Sequence, residues 1–146
     1  FGNIDFKDYI ENLTRDLFVS NGVDTNQIEL LINCANIYFD LENAIPCGLM
    51  INELVSNSIK YAFPNDGKGK IEIILQLIND VEFELTVSDN GIGIPQDIDV
   101  MKTDSMGLHL IKILAEQTFE GNMKLDRTNG TRFDFQLKRS RYRPRV

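Results

Sequence analysis

The sequence predicts an α+β fold, a two-layer α/β sandwich in which a mixed, mostly antiparallel sheet is covered on one face by helices. Three observations carry that expectation. Apolar residues recur at helical spacing in three separate stretches and at every second position in four or more others. Each alternating stretch offers a single apolar face, as a sheet packed on one side does. Helical and alternating stretches also come in blocks, without the strict succession of a doubly wound parallel sheet.

Residues 5–20 place Phe6, Ile10, Leu13 and Leu17 on one helical face, and Asn21-Gly22 suits the end of that helix. Gln27–Cys34 and Asn36–Asp40 are short and β-prone, and read as edge strands. Asn43 can cap a long second helix from about Ala44, with Pro46 in its first turn and Phe63-Pro64-Asn65-Asp66-Gly67 ending it. From Lys70 the period becomes two. Ile71, Ile73, Leu75 and Leu77 share a face, as do Val81, Phe83, Leu85 and Val87 after Asn79-Asp80, so the two runs pair antiparallel. Residues 107–118 return to helical spacing through Leu108, Ile111, Leu114 and Ala115. Met123, Leu125, Phe133, Phe135 and Leu137 then flank Thr128-Asn129-Gly130 as a closing hairpin.

With 146 residues and 42% apolar content, residues 1–146 form one domain. No apolar run is long enough to span a membrane and no signal segment opens the chain, which points to the cytoplasm, any membrane anchor lying upstream. Cys34 and Cys47 lack metal or redox spacing and are expected as buried, reduced thiols. The net charge of −7 conceals a basic tail, about residues 138–146, with Lys138, Arg139, Arg141, Arg143 and Arg145; it reads as a solvated terminus. The rest is strongly acidic, which argues against nucleic acid as a partner.

Three patterns carry chemistry. In the second helix Glu53, Asn57 and Lys60 fall within one stripe, opposite Met50, Ile51, Leu54, Val55 and Ala62. A carboxylate, an amide oxygen and an ammonium meeting there suit Mg²⁺ and phosphate; an ordinary solvated helix face is the alternative. Asp89-Asn90-Gly91-Ile92-Gly93 follows a strand, where an ionised Asp accepts from an exocyclic amine and glycines admit a flat ligand; a plain turn is the alternative. Ser105-Met106-Gly107-Leu108 leads into a helix start, suited to phosphate or simply capped by serine. His109 has no acid or nucleophile beside it and is given no enzymatic role. Neither a P-loop nor a full dinucleotide fingerprint is present.

Taken as an ordered set, Ile45–Pro64, Val87–Pro95, Ser105–Leu110 and Gly130–Phe133 resemble the N, G1 and G2 boxes and following strand of the sensor histidine kinase ATP-binding domain, the GHKL or Bergerat fold, in the group whose N box reads Asn-Glu-Leu. The resemblance implies ATP and Mg²⁺ as ligands. It implies that Asn57 coordinates Mg²⁺, that Glu53 acts catalytically by orienting a metal-bound water or the acceptor, and that Lys60 contacts phosphate. Tyr61 would line the nucleoside. Asp89 would take the adenine amine, with Gly91 and Gly93 shaping its pocket; Gly107 would sit by the phosphates and Leu108 in the same site. Thr131 would support adenine through Asp89 or water, and residues 94–106 would form a short lid. The second box has Met106-Gly107-Leu108-His109 in place of the Gly-x-Gly of many relatives. The reaction implied is transfer of the γ-phosphoryl of Mg·ATP to a histidine on a separate helical domain, and onward to a response regulator, within a homodimeric parent. The helical phosphoacceptor and dimerisation segment is expected upstream, so this chain would bind ATP without phosphorylating itself. A GHKL-type ATPase or serine kinase, and a non-catalytic nucleotide-binding module, are the competing functions.

Overall fold

A computed structural model describes residues 4–34, 36–65, 67–95 and 107–139. Most of the expected lid, together with Asp66, Ser105, Met106, Arg141, Arg143 and Arg145, lies outside the described residues.

The first helix, α1 (Phe6–Ser20), is capped by Asp5, whose carboxylate accepts from the backbone N–H of Lys7 and Asp8. It buries Phe6, Ile10, Thr14 and Phe18, one side chain per turn, and the Thr14 hydroxyl donates to the Ile10 carbonyl at 2.7 Å. As the sequence predicts, it ends at Asn21 and Gly22, the latter at φ +63°. Residues Ile4–Asp5 (β1) pair antiparallel with Tyr38–Phe39 (β3) in a two-stranded ribbon. The stretch at 36–40 is thus no edge of the main sheet: its partner is the chain entering α1.

The second helix, α2, spans Leu41–Asn57, and its cap is Asp40, not Asn43. The Asp40 carboxylate accepts from both the backbone N–H of Asn43 at 3.1 Å and its side-chain amide at 2.7 Å, while Asn43 itself is fully buried in the first turn. Starting the helix earlier moves Pro46 into its second turn, where the proline ring offers no donor to the turn below. We expect Asp40→Ala to cost about 1 kcal/mol of folding stability, read as a lower urea midpoint with an unchanged slope. The helix also does not run uniformly to Phe63. Residues Ser58–Ala62 form a π turn, which takes more residues per revolution than an α turn.

Strands β2 (Ile28–Asn33), β4 (Gly69–Leu77), β5 (Glu82–Asp89), β6 (Asn122–Asp126) and β7 (Thr131–Lys138) form one sheet in the order β2-β4-β5-β7-β6. Only β2 and β4 are parallel. Alternation decides what each face does. Ile71, Ile73, Leu75, Phe83, Leu85, Val87, Phe133, Phe135 and Leu137 are buried under the helices, whereas Glu84, Thr86, Asp134 and Gln136 line the helix-free face. On that face Thr86 donates to Asp134 at 2.7 Å, and Arg132 pairs with the same carboxylate at 3.0 Å. The third helix begins as α3 (Leu108–Ile113) and continues as a second π turn, Leu114–Thr118.

A run of aromatic rings joins these parts. Phe6, Phe39, Phe83 and Phe119 follow one another at centroid separations of 4.9, 5.2 and 5.5 Å, linking α1, the β1–β3 ribbon, the central strand and the end of the third helix. Each such contact is worth about 0.5–1.5 kcal/mol beyond its burial. Arg139, at the root of the basic tail, lies 5.1 Å above the Phe39 ring, and its N–H donates to the Val81 carbonyl. Cys34 and Cys47 are buried free thiols; burial pushes Cys34 up to about 11 and Cys47 further still, so neither supplies a thiolate near neutral pH. Among the described residues no helix is long and apolar enough to cross a membrane.

Candidate functional site

The site forms where β5 runs out beneath the end of α2. Asp89, the last residue of β5, is 7% exposed and opposes Thr131 at the start of β7. Its two oxygens have separate partners: the Ser58 hydroxyl donates to Oδ2 at 2.6 Å, and the Gly91 N–H donates to Oδ1 at 3.0 Å. Buried carboxylates persist when hydrogen-bonded in this way. The loop is then drawn onto the helix end, the Ile92 N–H donating to the Ala62 carbonyl at 3.0 Å. Only glycine allows that approach, because a Cβ at Gly91 would stand 2.3 Å from the Ala62 carbonyl oxygen and 2.6 Å from its methyl.

Above Asp89 opens a pocket with apolar walls, Leu54, Ala62, Val87, Ile94, Leu108 and Phe133, and a few polar groups, Asn57, Ser58, Asp89 and Thr131. Tyr61 and Gly93 complete its lining, Tyr61 being half exposed at the mouth. Of the residues singled out in the sequence, Asn57, Tyr61, Asp89, Gly93, Leu108 and Thr131 therefore share one cavity. Gly91 supports it from beneath. Lys60 does not line it and is exposed. The π turn explains this: past Asn57 each residue advances less around the axis, so Tyr61, not Lys60, returns to the line of Glu53 and Asn57.

Glu53 and Gly107, like Lys60, do not line the pocket; they face each other where α2 meets the start of α3. Gly107 has φ +70°, a conformation that favours glycine, and a Cβ built there would fall 2.1 Å from the Glu53 Oε2, so any larger residue would also push that carboxylate aside. Gly107 is the residue before α3, and among the described residues no side chain caps that helix start. His109 is exposed on α3.

Glu53 and Asn57, both half-buried and one turn apart, are hard oxygen donors on one face. Among the described residues no group of three or more His, Cys, Asp or Glu could hold a metal by itself. Two oxygen donors fit a Mg²⁺ ion that keeps waters and shares phosphate oxygens, the usual manner of that ion.

Ser58 has no role in the sequence reading, although a signal was there: a hydroxyl on the apolar side of an amphipathic helix needs a buried partner. We expect Ser58→Ala to weaken ATP binding roughly three- to tenfold by freeing the Asp89 carboxylate to turn, measured by titration calorimetry.

A greasy slot with one hydrogen-bonded carboxylate in it, set between a sheet and its covering helices, has the make-up of a small-molecule site. Residues 42–141 match the family described as Histidine kinase-, DNA gyrase B-, and HSP90-like ATPase. The chain belongs to that family, and within it is an ATP-binding domain of the sensor histidine kinase type. It is 32% identical over 85 residues to the sensor histidine kinase PdtaS of Mycobacterium tuberculosis, covering 58% of this chain and 17% of that protein. It is 24% identical over 89 residues to blue-light-activated histidine kinase 2 of Erythrobacter litoralis, covering 61% of this chain and 26% of that one. The chain thus spans about a quarter or less of these relatives' length. In fold it is similar to the histidine kinase domain of the Erythrobacter litoralis EL346 blue-light activated histidine kinase, with a TM-score of 0.81 at 21% identity over 92% of this chain and 61% of that one. The mycobacterial sensor histidine kinase MprB gives 0.69 at 17% identity, over 94% and 99%.

Proposed function

We propose that this domain binds Mg·ATP and transfers its γ-phosphoryl group to a histidine on a separate helical domain, from which a response regulator takes it. One observation carries the reading: a buried carboxylate in an apolar slot that Asn57 also lines, with Glu53 one helical turn away from Asn57. In this arrangement Asp89 accepts from the adenine amine, with Thr131 beside it, while Leu108, Tyr61 and Gly93 enclose the base and nucleoside. Asn57 would hold Mg²⁺, with Glu53 a turn away to act on it through water, and the ion would offset charge on the transferring phosphoryl group. Gly107 keeps the backbone close to the phosphates, and Lys60 reaches them from outside the slot. In the transfer the bond between the γ-phosphorus and the β,γ-bridging oxygen breaks, ADP leaves, and a P–N bond forms to an imidazole nitrogen. Glu53 orients that ring and favours loss of its proton. Most of the rate comes from positioning and charge neutralisation.

The test is to mix the domain with the phosphoacceptor helical pair of its parent kinase and γ-labelled ATP. Acid-labile, base-stable label on histidine is the expected result. Label on serine alone, or rapid phosphate release by the domain without transfer, rejects the reading.

A further inference from the structure

The two edges of the five-stranded sheet differ in how they are protected. At one edge β6 is short and carries Lys124 and Asp126, charges of the kind that keep an open edge from pairing. At the other, β2 reads Ile-Glu-Leu-Leu-Ile-Asn, with one charge and no proline, and runs in unbroken register beside β4. Its free groups follow from the ladder. The Gly69 N–H donates to the Gln27 carbonyl at 2.9 Å, so Glu29, Leu31 and Asn33, like Gln27, turn their main-chain groups toward β4, and Ile28, Leu30 and Ile32 turn theirs away. The Ile28 N–H donates to the Asp24 carbonyl at 3.0 Å, but among the described residues no partner reaches the outward groups of Leu30 and Ile32. On the helix-free face stand Glu29, Leu31, which is 38% exposed, and Asn33. On the helix side Leu30 and Ile32 floor a groove against α1, whose Lys7, Glu11 and Arg15 border it.

We propose that β2 pairs antiparallel with β2 of a second copy of this chain, about a two-fold axis through Leu31, joining the two sheets into one. Parity and side-chain chemistry select that register. With the axis on Leu31, Leu30 of each copy opposes Ile32 of the other, and because both residues turn their main-chain groups outward each such pair exchanges both of its hydrogen bonds. An axis between two residues would set an outward residue against an inward one and lose those bonds. On the helix-free face the same register places Leu31 against its own counterpart and Glu29 against Asn33, an amide facing a carboxylate. An axis on Glu29 would instead oppose like charges, and one on Leu30 would set Glu29 against Leu31. The junction is also neutral, Lys7 and Arg15 offsetting Glu11 and Glu29, although the whole chain carries −7. None of the residues lining the pocket above Asp89 belongs to α1 or β2, so pairing leaves that pocket open, and it depends neither on the nucleotide nor on the proposed transfer. Two short strands make a smaller contact than a permanent interface, so the association is reversible.

The test is sedimentation equilibrium up to about 1 mM protein, with amide hydrogen exchange on the same samples and circular dichroism to confirm that each variant is folded. The chain should dimerise as its concentration rises, and the Leu30 and Ile32 amides should gain protection in step. Because Leu31 meets itself on the axis, Leu31→Lys and Leu31→Glu should each weaken dimerisation roughly tenfold or more by opposing like charges, and an equimolar mixture of the two variants should restore it. That rescue is specific to the register, since a substitution that merely damaged the fold would not be repaired by mixing. A chain that stays monomeric up to about 1 mM overturns the proposal. So does a dimer that both variants leave unchanged, or a mixture no better than either variant alone, since each places the contact elsewhere. Protection of Leu30 and Ile32 that appears only in a longer parent chain, without dimerisation through Leu31, assigns the edge to another segment and likewise overturns pairing with a second copy.

Discussion

Replacing Glu53 by Gln should lower the rate of phosphoryl transfer roughly a hundredfold while leaving Mg·ATP affinity within a few-fold of its original value. General acid–base groups contribute about 10²–10⁴ in rate, and a group that orients the acceptor through one hydrogen bond belongs at the lower end. Glutamine preserves the shape packed against Gly107, so the substitution introduces no clash at a place where a single Cβ on the facing backbone would fall 2.1 Å from the carboxylate oxygen. Binding should survive because Glu53 is not among the residues that line the pocket holding Asp89 and the apolar walls. Single-turnover transfer and calorimetry on the same protein separate the two quantities. A transfer rate within threefold of the parent would remove Glu53 from the chemistry.

Asp89→Asn should weaken ATP binding tenfold or more. Hydrogen bonds to a charged acceptor are worth about 1.5–3 kcal/mol, and an amide nitrogen turned toward the base repels the adenine amine. The fold should tolerate the exchange, since the Asn oxygen can still accept from the Gly91 N–H and the Ser58 hydroxyl can reverse to accept from the new amide. The loss should be specific to purines with an amine at the six position, narrowing the preference for ATP over GTP. Calorimetry with both nucleotides on the folded variant measures it, and equal ATP affinity in the two proteins would separate adenine recognition from this residue.

Much of the architecture was legible because period-two alternation in Lys70–Leu77, Glu82–Val87 and Phe133–Leu137 leaves one register that buries Ile71, Ile73, Leu75, Phe83, Leu85, Val87, Phe133, Phe135 and Leu137 together. The Asp89 loop was legible for a related reason: polar turn chemistry directly after such a strand has to emerge where the strand ends. What stayed hidden depends on tertiary context. Strands β1 and β3 have two residues each, too few for any period. Asp40 and Asn43 are both good caps, and the choice falls to Asp40 because Asn43 is needed inside, bonded to it. The π turn at Ser58–Ala62 leaves no mark in hydrophobic spacing, yet it decides that Tyr61 and not Lys60 lines the pocket. Ser58 was readable only as a buried hydroxyl without a known partner, and that partner lies 31 residues away.

That separation has a thermodynamic consequence. On the reading proposed above, the purine end of the cavity is assembled from the end of α2, the last residue of β5 and the first of β7, so no local fragment of the chain contains it. A partly folded chain with the central strands unpaired has nowhere to put adenine. Nucleotide binding is therefore linked to completion of the whole sheet, and at a hundred times its dissociation constant the ligand would add about 2.7 kcal/mol to global stability.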